Sequence, residues 1–526
     1  MGSGGTIIRI MRIKMKIINL ALLSSLILNT NIPSKAHSSQ SSFYLSEESE
    51  ESASKDAALE LDAPHHKLIG TEKAWQHSRG EGVVVAVTDS GIAYDHPDLE
   101  DNIWHNEGET GVSADGVDLC KNGIDDDANG KVDDCIGWNF GGKNNDPIPQ
   151  IRKESHGSHV AGIIASSENG EGSVGVAPDA KVMIVKVLPG LWSSQKLYDS
   201  YVYAVDNGAK IINTSLEIDA FVGNKILNKA LKYAEDKGAI VVNAAGNNTR
   251  GNAPKMELSN LLFVANTGVG DSWGCKEDVK TPNSNWGYGI DISAPGCRIN
   301  STVTNGKYTQ LSGTSMSSPV VAGALALIWS KNPEWTREQV ISRMLSTADD
   351  ISKVNEAKFK AQLGAGRLNL ERALSDKKQD PLSVWGLTKE IKTITDSFTI
   401  RFNGLADWNT LEENTIELIR LSDDIDPEST NYEQLLEAQV SKVPLRVNNK
   451  DKLSYGSSMI TMTNENGNIK PGKYLLKVSA NLKDPFSNPF NKDFDFSSLK
   501  IDRKRVFIID GIIDSKIGRA SCRERV

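Results

Sequence analysis

Val83-Val-Val-Ala-Val-Thr-Asp89-Ser-Gly91 is an unbroken apolar run that ends on a carboxylate and a glycine. A run without polar alternation suits a strand covered on both faces, as in a parallel sheet between two helical layers. Four similar runs follow: Val182-Met-Ile-Val-Lys-Val187, Lys210-Ile-Ile-Asn213, Ile240-Val-Val-Asn243 and Leu262-Phe-Val-Ala265. Between them, Tyr201 to Asn207 and Asn224 to Lys237 carry apolar residues at helical spacing, and Gly238 stops the second. This alternation, from Leu68 to about Leu374, predicts an α/β domain of three layers, with a mostly parallel sheet flanked by helices.

Beyond Lys377 the texture changes to short alternating segments: Ser397-Phe-Thr-Ile-Arg-Phe402, Thr415-Ile-Glu-Leu-Ile-Arg420 and Tyr474-Leu-Leu-Lys-Val478, with turn signals such as Pro471-Gly472. They predict a smaller all-β sandwich domain over residues 380–516, after an α/β domain over 67–376. At the other end, Arg12, Lys14 and Lys16 precede an apolar run from Ile17 to Leu28, followed by Ser34-Lys35-Ala36. Residues 1–36 therefore read as an export signal. Residues 37–66 read as an acidic flexible leader, too poor in aromatics to repay its ordering entropy. The last ten residues, Ile517 to Val526, read as a translated sequencing adapter, so the natural chain is expected to run on beyond Lys516.

The 526 residues leave ample chain for both cores. They are 39% hydrophobic and 24% charged, with formal net charge -9 and no long basic stretch in the body of the chain, which argues against a nucleic-acid partner. The apolar run near the N-terminus is shorter than the roughly 20 residues a spanning helix needs, so no membrane anchor is expected. The expected product is an exported monomer, periplasmic, surface-held or free.

With Cys522 set aside in the adapter-like tail, Cys120, Cys135, Cys275 and Cys297 remain, an even number in an exported chain, which favours disulfides. Three connectivities are possible, and the pairing closest in sequence, Cys120 with Cys135 and Cys275 with Cys297, is preferred. Between the first two lies Asn122-Gly-Ile-Asp125-Asp-Asp127-Ala-Asn129-Gly130-Lys-Val-Asp133-Asp134. Alternating oxygen ligands around a glycine turn suit Ca²⁺, as at the start of an EF-hand loop. Ile136 stands where that loop has its bidentate Glu, so Asp125, Asp127 and Asn129 need closure by Asp133, Asp134 or a distant group.

Three segments place a reactive side chain where an element begins or ends. Asp89 closes a buried strand, at the edge where open α/β sheets place their sites. His156, in Ser155-His156-Gly-Ser-His159-Val-Ala-Gly162, opens a helix rich in small residues. Ser315, in Ser312-Gly-Thr-Ser315-Met-Ser-Ser-Pro319-Val-Val-Ala-Gly323, opens an apolar helix whose unpaired N–H groups suit a developing oxyanion. Singly, each is also an ordinary cap or turn residue. His156 and His159 could share a metal, but a three-residue separation without a His-Glu-x-x-His motif is weak support.

Together, in the order Asp, His, Ser, the three segments resemble the signature motifs of the subtilisin-like serine proteases. Supporting matches are His96-Pro-Asp-Leu99, Gly175-Val-Ala-Pro178, Asn213-Thr-Ser-Leu216, Ala244-Ala-Gly-Asn247 and Ser293-Ala-Pro-Gly296. The resemblance implies a secreted serine endopeptidase with Asp89, His156 and Ser315 as triad and Asn247 as oxyanion donor. It further implies that extended peptides or protein segments bind along Ser215, Leu216 and Glu217 and along Ala244, Ala245 and Gly246. Asp98 resembles a calcium ligand of many members. The family commonly has Gly where this chain has Glu217; the carboxylate either favours basic side chains before the scissile bond or points to solvent on a shifted loop. Many secreted relatives carry a folded pro-domain, for which residues 38–66 are too short, so either the leader is merely trimmed or maturation control lies elsewhere. The β region resembles bacterial immunoglobulin-like surface modules, which suggests an accessory role. The rival readings are a binding protein with an inert protease scaffold, and a maturation protease with few targets.

Overall fold

The computed structural model describes residues 63–509 apart from internal stretches, the longest being 252–259, 276–283, 388–396, 426–433, 448–455 and 491–505. The signal, most of the leader, the adapter-like tail and Glu217 lie outside the described residues.

In chain order the first domain runs α1 (Pro64–Ile69), α2 (Thr71–Ala74), β1 (Val84–Asp89), β2 (Gly137–Asn139), α3 (His156–Ala165), β3 (Lys181–Lys186), α4 (Ser194–Asp206), β4 (Ile211–Thr214), α5 (Lys225–Asp236), β5 (Ile240–Ala244), β6 (Leu261–Thr267) and β7 (Ile292–Pro295). It continues through the hairpin β8 (Ile299–Val303) and β9 (Lys307–Leu311), then α6 (Thr314–Lys331), α7 (Arg337–Ser346) and α8 (Leu370–Leu374). One seven-stranded sheet has the order β2-β3-β1-β4-β5-β6-β7, with every pairing parallel. The apolar runs explain the layering. Val85, Val87 and Ile184 face one core with Ile163 of α3 and Val320 and Leu325 of α6. Ala86, Met183 and Val185 face the other with Leu197 and Tyr201 of α4 and Leu227 and Leu231 of α5. Each fully buried aliphatic side chain of this kind contributes about 1.5–3 kcal/mol. Because β1 has β3 on one side and β4 on the other, the strand order reverses there, and Asp89 ends the strand at that crevice.

Two boundaries differ from the expectation. Helix α4 begins at Ser194, ahead of Tyr201, because Ser193 accepts the Lys196 N–H and caps it. The end of the leader is ordered: Pro64 presets the first turn of α1, and His65 and His66 are buried.

The second domain has two four-stranded sheets. The first comprises β10 (Val384–Leu387), β11 (Ser397–Asp407), β14 (Leu445–Val447) and β15 (Gly456–Asn464); the second comprises β12 (Ile416–Leu421), β13 (Gln439–Val443), β16 (Gly472–Val478) and β17 (Val506–Ile509). All pairings are antiparallel, and Ile400, Phe402, Leu418, Ile460 and Leu476 fill one shared core. The domain docks on α7 and the residues just ahead of it, where Trp335 meets Phe486 edge-on at 4.8 Å and Ser342 Oγ accepts from Leu405 N. Cys120 pairs with Cys135 and Cys275 with Cys297, and the shorter cross-link, spanning 15 residues, restricts the unfolded chain by about 3 kcal/mol.

Candidate active site

Asp89 is buried at the end of β1 and His156 opens α3. The imidazole Nδ1 lies 2.9 Å from both carboxylate oxygens, and since an ionised carboxylate only accepts, Nδ1–H is the donor. Ser90 N donates to Asp89 Oδ1 at 2.7 Å, and Ser90 Oγ accepts from Gly157 N at 3.0 Å, which satisfies an otherwise unpaired N–H in the first turn of α3. This approach requires Gly157, since a Cβ there would stand 2.4 Å from the Gly91 carbonyl oxygen. Burial opposes protonation of His156, but the charge of Asp89 and its hydrogen bond outweigh that, and the pKa is raised. His159 faces elsewhere: its Nε2 bonds the carbonyls of Ile299 and Thr309 at 3.1 and 3.0 Å. The hydrogen bonds of the two imidazoles thus go to different partners.

Ser315 lies in the first turn of α6, the positive end of an 18-residue helix. Its Oγ donates to the Ser215 carbonyl at 3.1 Å, and Ser215 Oγ donates to the Ser315 carbonyl at 2.9 Å. The second bond has a local cause. Pro319, four residues on, has no N–H to offer that carbonyl, so a side chain from the neighbouring segment supplies the missing donor. Asn247 Oδ1 accepts from Thr314 N at 2.9 Å and Thr314 Oγ1 at 3.1 Å, which orients the amide beside the turn that carries Ser315. Gly246 N donates to the same Thr314 hydroxyl at 3.1 Å. Ser215 and Leu216 follow β4, and Ala245 and Gly246 follow β5, so both stretches expected to bind substrate lie at the carboxyl edge of the sheet.

A family model, described as the subtilase family, matches residues 80–366. Thermitase from Thermoactinomyces vulgaris is 35% identical over 291 residues, 54% of this chain and 87% of that protein. The chain belongs to the subtilase family. A thermophilic serine proteinase from Bacillus sp. (strain AK1) is 34% identical over 54% of this chain and 60% of its own length, and subtilisin Savinase from Lederbergia lenta is 34% identical over 41% and 77%. A solved structure, titled as proteases from Pseudoalteromonas arctica PAMC 21717, covers 61% of this chain and 98% of its own at 27% identity and TM-score 0.46. By this membership the subtilase is a serine-type endopeptidase.

The acidic loop of this subtilase divides in two. Asp125 accepts from Asn129 N and Gly130 N, and Asp133, at φ 54, accepts from Gly123 N; both shape the loop's own turns. Asp127 and Asp134 instead meet Glu109, with ligand oxygens all within 4.8 Å of one another. Asn129 Nδ2 reaches Asp127 and Asp134 at 2.9 and 3.1 Å, and Tyr203 donates to Asp134 at 2.6 Å. Burial, then the neighbouring carboxylates, raise the pKa of Glu109. Burial and the Asp127 charge raise that of Asp134 against its hydrogen bonds. Glu109 Oε2 is buried without a hydrogen-bond partner. Three crowded oxygen donors, one of them unsatisfied, fit a hard cation. No local motif marks Glu109, which lies ahead of Cys120, outside the patterned loop. Asp98 stands apart, accepting from Asn169 Nδ2 and Ser173 N.

Proposed function

We propose that this subtilase is an exported endopeptidase in which Ser315 is the nucleophile, His156 the general base and acid, Asp89 its orienting partner and Asn247 the oxyanion donor. The observation that carries the reading is the Nδ1–H of His156 held by both oxygens of buried Asp89, which leaves Nε2 as the basic nitrogen. Ser315 Oγ adds to the peptide carbonyl and its proton passes to Nε2. Asp89 stabilises the imidazolium without taking its proton. The tetrahedral oxygen accepts the Ser315 N–H and the Asn247 Nδ2–H; on collapse, His156 protonates the leaving amine, and water then hydrolyses the acyl-enzyme by the same steps. The peptide lies extended along residues 215–216 and 244–246 as an added strand.

Glu109, Asp127 and Asp134 would hold Ca²⁺ as a structural ion, which supplies positive charge to the crowded carboxylates. The apolar segment at Ile17 to Leu28 supports export, and among the described residues no helix is long and apolar enough to cross a membrane. Casein hydrolysis tests the reading, beside Ser315→Ala and with a calcium chelator. The expected result is hydrolysis abolished by the substitution and reduced by chelation, with a lower melting temperature. Folded protein that leaves casein intact favours the binding-protein reading, and chelation without effect contradicts the calcium assignment.

A further inference from the structure

Lys186 is among the largest fully buried side chains, at 1% exposure. It is the last residue of β3, in register with Asp89 on β1. Registered residues of adjacent parallel strands project from the same face, so the Lys186 stem leaves the sheet on the same face as Asp89, the face that α3 covers. A buried ammonium is costly unless paired and hydrogen-bonded. Here Nζ donates to the Ile148 carbonyl and lies 3.5 Å from Glu154 Oε2. Glu154 is tied twice more: its carboxylate accepts from Gln150 N at 2.8 Å, and its carbonyl accepts from Ser90 Oγ at 2.6 Å. The lysine stem is boxed in by the turn after Asp89, where a Cβ on Gly91 would stand 3.0 Å from Lys186 Cδ and 2.3 Å from the Pro147 carbonyl oxygen.

We propose that Lys186 is a positioning residue for the subtilase reaction: its buried ammonium, held between Glu154 and the Ile148 carbonyl, fixes Glu154 at the entry to α3 and with it the stance of His156 against Asp89. The inference rests on the triad reading above. Glu154 lies two residues before His156 and binds β3 through its side chain and Ser90, just after β1, through its backbone carbonyl, so loosening Lys186 frees the imidazole's own surroundings. A misplacement on the order of 1 Å can cost about 10²-fold in rate. Among the described residues, the charged and titratable groups around the couple are Asp89 on β1, Lys186 on β3, Glu154 ahead of α3 and His159 within it. The fixed cation and anion also bias the proton affinity of His156 in opposite senses.

The test is steady-state kinetics across pH for the exported protein and for Lys186→Met, Glu154→Gln and the double variant, with serine-directed phosphonate labelling. Lys186→Met is expected to lower kcat about tenfold or more and leave KM within about threefold. The acid limb of kcat/KM should move up in Lys186→Met, down in Glu154→Gln, and return to the wild-type position in the double variant, where the net charge is unchanged. Limbs that stay put, or that move the same way in both single variants, overturn the proposal. Should Lys186→Met fail to fold, Glu154→Gln and the double variant decide it by the same criterion. Wild-type protein that does not label at Ser315 overturns the triad reading and this proposal with it, whereas labelling with unmoved limbs overturns the role of Lys186 alone.

Discussion

Asn247 gives its side-chain oxygen to the backbone and hydroxyl of Thr314, which in the proposed reaction leaves Nδ2 as the donor to the tetrahedral oxygen. Asn247→Ala should lower kcat by about 10²–10³, the loss that removing such a donor causes in subtilisin, with little change in KM. A variant that changes KM alone would assign Asn247 to ground-state binding. At this scale the proposed triad was readable because each reactive group sits in a short contiguous motif beside the small residues that let it pack, such as Gly157. Thr314 lies inside the serine motif, yet its role in orienting Asn247 emerges only when residues 67 apart meet. Lys186 and Glu109 were not readable for the same reason. Lys186 sits in an apolar strand run with its anion 32 residues upstream, and no local pattern joins Glu109 to Asp127 and Asp134.

Among the elements, α1 departs most from expectation, and it carries a pH dependence. His66 bonds Thr71 Oγ1 and the Val174 carbonyl at 3.0 Å each, and burial lowers its pKa to about 4 even though the carbonyl bond favours the protonated ring. On α3, burial lowers His159 to about 3. Above pH 6.5 both rings are neutral folded and unfolded, so the full stability is present. As pH falls below 6.5 the unfolded chain takes up protons that the folded rings refuse, and stability drops by about 1.4 kcal/mol per pH unit for each ring. The loss from His66 levels off near pH 4 and that from His159 near pH 3. Urea midpoints of the Ser315→Ala protein, which avoids self-digestion, should fall steadily from pH 6.5 to 4, and less steeply with His66→Gln added. Equal slopes would mean that His66 is not held neutral. The strands were legible because full burial on both faces demands unbroken apolar runs, and α5 because Leu227, Ala230, Leu231 and Ala234 recur at helical spacing. Helix α1 was not, since it is held by tertiary contacts of His66 and by burial of Ile69 in an otherwise polar-looking segment.

For the whole molecule, the order of texture along the chain, strand–helix alternation and then short alternating strands, was enough to read a parallel α/β domain followed by antiparallel sheets. How the two join was not, because the contact depends on side chains far apart in sequence: Trp335 on Phe486, and Gln379 Nε2 donating to both Ser342 Oγ and Asp484 Oδ2. This junction lies on α7 and just ahead of it, whereas the proposed catalytic residues gather at the carboxyl edge of the parallel sheet, so the central claim can be tested in the intact chain. The most direct measurement is mass-mapping of the adduct formed by a serine-directed phosphonate with the exported protein, beside folded His156→Ala. The account predicts one adduct, on the peptide containing Ser315, formed far more slowly when His156 is replaced. A label on another serine, or labelling of Ser315 at an unchanged rate without His156, would contradict it.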